Sequence, residues 1–324
     1  MRRASVTALA CFGLLSFAVV TAQDSAQRRF HTEDYPDGVR KLEAEEELDG
    51  SGAWVRNGAY AFSYPSGRRS AEGNFVHGRK HGPWRYWYAS GRLEAEGEYA
   101  EGRASGQWTI YNENGKQREQ GEFVGGRAHG TWTYSWPLTG KLRARGAFEQ
   151  GRTRGKWTYY DEDEKRTEEG SLVDGRREGE WSGWHPDGKA ASRGNFAHDL
   201  RTGHWTWWHA DGTLAKEGEF VDGREEGAWR FDDAGGKPRQ SGAFSHGHEE
   251  GPWTFWYPDG GKSEEGPYVR GRAQGRWTVW HANGAKAAEG EYRDGLAQGE
   301  WIQWNDDGTE SGRTTYANGR VVKR

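Results

Sequence analysis

A 24-residue period constrains this chain more than any other feature. Gly82-Pro83-Trp84 recurs as Gly106-Gln107-Trp108 and Gly130-Thr131-Trp132, then, after a one-residue insertion, as Gly155-Lys156-Trp157. From there the step of 24 holds through Trp181, Trp205, Trp229, Trp253, Trp277 and Trp301. A first unit with Tyr in place of Trp begins at Gly58-Ala59-Tyr60, which makes about eleven units. Self-similarity at a fixed period signals a repeat architecture, in which each unit contacts its neighbours and the array presents a surface. That reading overrides the two globular domains a length of 324 residues would otherwise suggest.

One unit, Gly82 to Arg103, shows the local logic. Trp84-Arg85-Tyr86-Trp87-Tyr88 is rich in residues that favour strands. Ala89-Ser90-Gly91 is a turn, and its equivalents Pro186-Asp187-Gly188, Ala210-Asp211-Gly212 and Pro258-Asp259-Gly260 carry Asp-Gly, a strong hairpin signal. Arg92 to Tyr99 reads as the return strand, and Gly102 to Gly106 as the lead into the next unit. The predicted fold class is all-β: an elongated antiparallel meander of β-hairpins forming a single twisted, gutter-like sheet. About 22 strands at ~4.8 Å each would make a sheet roughly 105 Å wide. Open sheets rarely pass ~10 strands without curling, so a flat plate is not expected.

Alternation along the strands sorts the columns onto two faces. Trp84 and Tyr86 share one face with Tyr99, Phe123, Phe148, Phe196, Phe220, Phe244, Tyr268, Tyr292 and Tyr316. Between these columns recurs a glycine (Gly97, Gly121, Gly146, Gly170 and onward to Gly290), whose missing side chain gives a cross-strand ring a seat. The opposite face carries a second aromatic ladder: Trp87, Tyr111, Tyr160, Trp184, Trp208, Trp256, Trp280 and Trp304. Two readings stand for it: the sheet coils or pairs so that the ladder is covered, or the ladder is an exposed stripe that binds something. A row of arginines (Arg103, Arg127, Arg152, Arg176, Arg224 and Arg272) follows the closing glycines and either pairs with glutamates or grips an acidic partner.

Composition and the chain ends narrow the classes. Only 33% of residues are hydrophobic while 14% are aromatic, so order must come from rings and backbone pairing. Residues 1–22 read as a signal peptide: Arg2 and Arg3, an apolar stretch from Ala8 to Val20, and a Val20-Thr21-Ala22 cleavage site; retention as an anchor is the alternative. Its removal takes Cys11 and Met1, the only cysteine and methionine, and makes the net charge of −4 two units more negative. An exported, periplasmic, cell-envelope or secreted location follows as the expectation. Residues 23–57 read as an acidic segment with a partial capping repeat, residues 58–319 as the array, and residues 320–324 as a basic tail. Mixed charge gives no reason to expect nucleic acid or binding to an anionic membrane.

No catalytic motif is present: no P-loop, no Gly-x-Ser-x-Gly elbow, no His-Glu-x-x-His and no cysteine pair. No cofactor or metal is therefore expected. His185, His209 and His281 share a column with Tyr88, Asn112, Tyr257 and Asn305, which reads as a polar position leading a turn. Turn carboxylates such as Asp187, Asp211 and Asp259 fit turn closure rather than acid–base catalysis.

The stretch Gly82-Pro83-Trp84-Arg85-Tyr86-Trp87-Tyr88-Ala89-Ser90-Gly91-Arg92, followed by Gly97-Glu98-Tyr99-Ala100-Glu101-Gly102-Arg103, resembles the short, largely bacterial variant of the MORN repeat. The resemblance implies a single-layer β-hairpin scaffold used in protein–protein or membrane-linked assembly. Together these readings predict a non-enzymatic exported scaffold that binds a protein partner, or itself, through an aromatic face. A carbohydrate or cell-wall ligand module that stacks sugars on the aromatic ladder is the alternative.

Overall fold

Chain reversals fall at the glycine-bearing dipeptides, and two kinds of turn alternate. At the first, Gly91 N–H donates to Tyr88 O (2.8 Å) and Tyr88 N–H to Arg92 O (2.9 Å), with Gly91 in the left-handed region at φ 87°. At the second, Glu101 and Gly102 form a two-residue turn with φ 51° and 78°, and Ala100 pairs directly with Arg103. Two consecutive positive φ values give the backbone twist that matches flanking antiparallel strands. The connection read from the sequence as a lead between units is therefore itself a hairpin turn, and the next strand starts at Arg103.

The computed structural model describes residues 27–323. They form one 26-stranded antiparallel meander that does not close, with no helix among the described residues. It opens with β1 (Arg28–Asp34), β2 (Arg40–Leu48), β3 (Trp54–Ser63), β4 (Arg69–Val76), β5 (Arg79–Trp87) and β6 (Leu93–Ala100). Each pairs with its neighbours in the chain, and the pattern repeats to a last strand at Arg320–Lys323. The short segments Arg272–Ala273 and Gly275–Trp280 both pair with Lys262–Val269, so they are one strand interrupted at Gln274. The signal-peptide reading of residues 1–22 lies outside the described residues. The acidic segment pairs into the sheet as β1 and β2, while β3 runs across residues 57 and 58.

The glycine of each Gly-x-Trp triplet has a different job from a boundary. Gly218 pairs with Trp229, but the next residue, Glu219, pairs with Glu226, which leaves Gly227 and Ala228 as a bulge. Gly227 adopts φ 66°, a conformation glycine takes without steric cost. The bulge turns the Glu219 carbonyl toward the indole, and Trp229 Nε1–H donates to it at 3.2 Å. The same bond recurs at Trp84, Trp108, Trp132, Trp181, Trp205, Trp253, Trp277 and Trp301.

Each of these indoles lies flat on the glycine of the preceding strand. A Cβ on Gly73, Gly97, Gly218 or Gly290 would overlap the ring of Trp84, Trp108, Trp229 or Trp301. The neighbouring rings then close around the indole. Phe220 meets Trp229 edge-on at 5.1 Å, and Phe231 stacks on it at 5.8 Å. Such contacts run from Tyr60 to Tyr316 and make the core a single layer of rings along one face. Burying ~200 Å² of ring at ~25 cal/mol per Å² is worth about 5 kcal/mol per Trp, which is how a sheet without a second layer holds together.

Candidate functional site

The core face is finished by cations, not by a second sheet. Lys80 Nζ sits 4.3 Å from the Trp84 ring and donates to Tyr86 Oη at 2.7 Å. Burial pulls the Lys80 ammonium below its ordinary pKa and pushes the Tyr86 phenol up. Arg177 lies 4.0 Å from Phe196, Arg201 5.1 Å from Trp205, and Lys216 4.5 Å from Trp207. The sequence reading missed this cover. Its signal was the residue after the arginine row, where Lys80, Arg177 and Arg201 share one position.

The opposite face holds the second ladder. Trp87, Tyr111, Tyr160, Trp184, Trp208, Trp256, Trp280 and Trp304 are each the last residue of a strand, and every one is half-buried. Partial cover comes from the preceding unit. The Arg166 guanidinium lies 3.5 Å over Trp184, with Lys262 5.7 Å from Trp280 and Lys286 5.3 Å from Trp304. Tyr111 Oη donates to Glu96 Oε1 at 3.0 Å; burial first, and then this carboxylate, push its phenol pKa up. The carboxylates beside the ladder are already engaged: Glu169 with Lys156 (2.7 Å), Glu265 with Lys262 (2.7 Å), and Glu289 with Arg276 and Lys286.

The ladder breaks at two units, where Ser135 and Asp232 stand in its place. The Asp232 carboxylate is only 2% exposed and takes a two-point contact from Arg230, at 2.8 and 2.7 Å.

Arg103, Arg127, Arg152, Arg176, Arg224 and Arg272 are all exposed, and each is the first residue of its strand. Ladder and arginine row thus lie at opposite ends of nine-residue strands, about 27 Å apart over eight steps of ~3.4 Å. They form two separate stripes, not one patch. Within the row, Arg152 reaches Asp174 of the next unit's turn at 3.2 Å.

The turn-leading column is a latch between units. Tyr64, Tyr88 and Tyr257 donate their hydroxyls to the carbonyls of Trp87, Tyr111 and Trp280, at 2.8, 2.7 and 2.6 Å. His185, His209 and His281 do the same with Nε2, to Trp208, Asp232 and Trp304, at 2.8, 3.0 and 2.8 Å. A carbonyl only accepts, so Nε2 carries the proton, and Tyr and His interchange because both place a donor at the same reach. The ladder backbones at Trp87, Tyr111, Trp208, Trp280 and Trp304 are thereby pinned from the unit before them.

Ahead of the longer turn at Pro137–Gly140, Trp136 occupies this column instead, and its Nε1 is buried without a partner, as is that of Trp157. These two line a cavity of about 470 Å³ with Tyr134, Arg143 and Tyr159; burial pushes the Tyr134 phenol up to about 12.

Turn carboxylates are committed to their turns. Asp187, Asp211 and Asp259 accept the backbone N–H two residues on, at 3.0, 2.9 and 2.9 Å. The Thr213 hydroxyl, then its N–H, hold Asp211 below the usual carboxylate range. Among the described residues, no group of three or more His, Cys, Asp or Glu side chains is arranged to hold a metal ion.

Fold and faces together define a single-layer array of β-hairpin repeats. The family model described as the MORN repeat variant matches it at residues 80–101, 201–222 and 249–270, so the chain carries repeats of that family. Two crystal structures of TcdB2-TccC3, the second without its hypervariable C-terminal region, align with 91% and 86% of this chain. Both alignments are at 11% identity with a TM-score of 0.16. The chain spans only 17% and 16% of those two proteins' own length. No curated protein matches the sequence significantly.

Proposed function

We propose that the chain is a non-enzymatic scaffold, exported to the cell envelope or beyond, that binds a protein partner through the second aromatic ladder. MORN repeats on an extended sheet fit a repeat scaffold for interactions. The observation that carries the reading is the ladder itself: aromatics in register on the face opposite the ring core, all half-buried. Half-buried Trp and Tyr are residue types that anchor protein interfaces. The arginine row adds a second exposed stripe about 27 Å away along the strands.

The carbohydrate alternative needs free carboxylates or amides beside the ladder to bind hydroxyls. Glu169, Glu265 and Glu289 are instead neutralised by lysine and arginine, which favours the protein reading. The test is capture from envelope extract on wild-type chain and on a Trp256→Ala/Trp280→Ala variant. A protein retained by wild type and lost by a folded variant supports the scaffold. Retention of glycan alone transfers the function to the carbohydrate reading, and equal capture by both chains removes the ladder from the account.

A further inference from the structure

An open sheet has two edges, and their chemistry differs. β1 pairs only with β2, and no other described strand takes the N–H and C=O groups of its outer side, the usual template for adding a strand. Its sequence is Arg28-Arg29-Phe30-His31-Thr32-Glu33-Asp34. Read against a reversed copy of itself, this strand is complementary in charge. Arg28 falls opposite Asp34, Arg29 opposite Glu33, Phe30 opposite Thr32, and His31 opposite itself.

We propose that β1 pairs with β1 of a second copy, antiparallel about a two-fold axis through His31, joining two arrays into one continuous sheet. Each basic–acidic pair then occurs twice. Every opposed pair shares a face of the sheet, because the strand period of two is preserved about the axis. The exposed Phe30 ring, 64% accessible, gains cross-strand cover from Thr32 of the second copy. The acids and bases already touch β2 (Arg29 with Glu46, Glu33 with Lys41, Asp34 with Arg40), so cross-copy pairing extends held side chains instead of ordering free ones.

The far edge argues for this choice of partner. In the last strand, Arg320-Val321-Val322-Lys323, the register shifts at Val322, so Arg320 and Lys323 share a face; the same arrangement would set them opposite each other, a like-charge clash that protects an apolar edge. Head-to-tail joining is disfavoured as well. With the interrupted strand counted once, the first and last strands run in the same direction, so joining them would need a parallel pair in an antiparallel sheet. A two-fold interface is isologous and closes at two copies, so the result is a dimer and not a fibre.

Two experiments on the full chain test the pairing independently of the aromatic ladder. First, Arg28→Asp/Arg29→Glu makes an all-acidic edge and Glu33→Arg/Asp34→Arg an all-basic one. In sedimentation velocity, wild type should run at twice the monomer mass, each variant alone as a monomer, and their equimolar mixture again as a dimer. Second, opposed residues of antiparallel strands lie ~4.5–5.5 Å apart at Cα, within disulfide range. His31→Cys in a Cys11→Ser background should therefore oxidise to a covalent dimer, and Val322→Cys in the same background should not. A monomeric wild type, variants that stay apart on mixing, or no covalent His31→Cys dimer would overturn the proposal.

Discussion

Replacing Gly194 with alanine isolates the contact on which the fold depends. The new Cβ would overlap the Cδ2, Cε2 and Cγ atoms of Trp205, more than about 1 Å inside an ordinary carbon–carbon contact near 3.5 Å. Trp205 has nowhere to go: it is 3% exposed, with Phe196 at 5.0 Å and Trp207 at 5.3 Å on its sides. Two responses compete. Ejecting the ring would expose ~200 Å², about 5 kcal/mol, and also forfeit the 2.9 Å bond from Nε1 to Asn195 O, worth ~1 kcal/mol. Spreading the two strands keeps the ring and costs the ~1–3 kcal/mol typical of overpacking. Spreading is cheaper, so we expect a loss of about 3 kcal/mol at the upper end of that range. Gly50→Ala is the control, since its Cβ would meet nothing within 4 Å and its φ is ordinary. Urea titration followed by Trp fluorescence gives the stabilities, and hydrogen exchange locates the loss near residues 194–205. A Gly194→Ala chain within ~0.5 kcal/mol of Gly50→Ala would refute the seat argument.

Three further outcomes follow from the same geometry. Tyr257→Phe removes the donor to Trp280 O and should cost about 1 kcal/mol in thermal or urea unfolding, whereas His209→Tyr keeps a donor in place and should stay within ~0.5 kcal/mol of wild type. Arg230→Ala strands the buried Asp232 carboxylate and should cost about 2 kcal/mol, less than for a fully buried pair because Arg230 is half exposed. Asp49, Asp187, Asp211, Asp233 and Asp307 are held below the carboxylate range by their turn donors. Their folded pKa values lie under the unfolded ones, so their stabilisation is present at neutral pH and lost as pH falls through the folded values. The melting temperature should hold to about pH 5 and fall below about pH 4, with a shallower fall when these residues are Asn.

The period of 24 made the hairpins, the ring core and the glycine seats readable, because each is a residue type recurring at one position. What it concealed has a physical reason in each case. Gly227 looks like a boundary, since glycine with positive φ serves turns and bulges alike; only the pairing of Glu219 with Glu226 separates the two. Strands consequently begin several residues earlier than the Trp columns suggest, at Arg79 and Arg103. That shift sends the arginine row to the end of the strand farthest from Trp87 and Tyr111, which sequence spacing alone could not reveal. The Tyr and His of the turn-leading column read correctly as polar, but their partners lie 23 residues away, across a unit.

Separating the two aromatic faces tests the account most directly. Circular dichroism and partner capture on Trp253→Ala/Trp277→Ala and on Trp256→Ala/Trp280→Ala compare core and ladder in the same two units. We predict that the first pair loses β-sheet signal and stability, while the second keeps the wild-type spectrum and loses the captured protein. A ladder variant that unfolds like the core variant, or that captures as wild type does, would contradict the assignment of one face to folding and the other to binding.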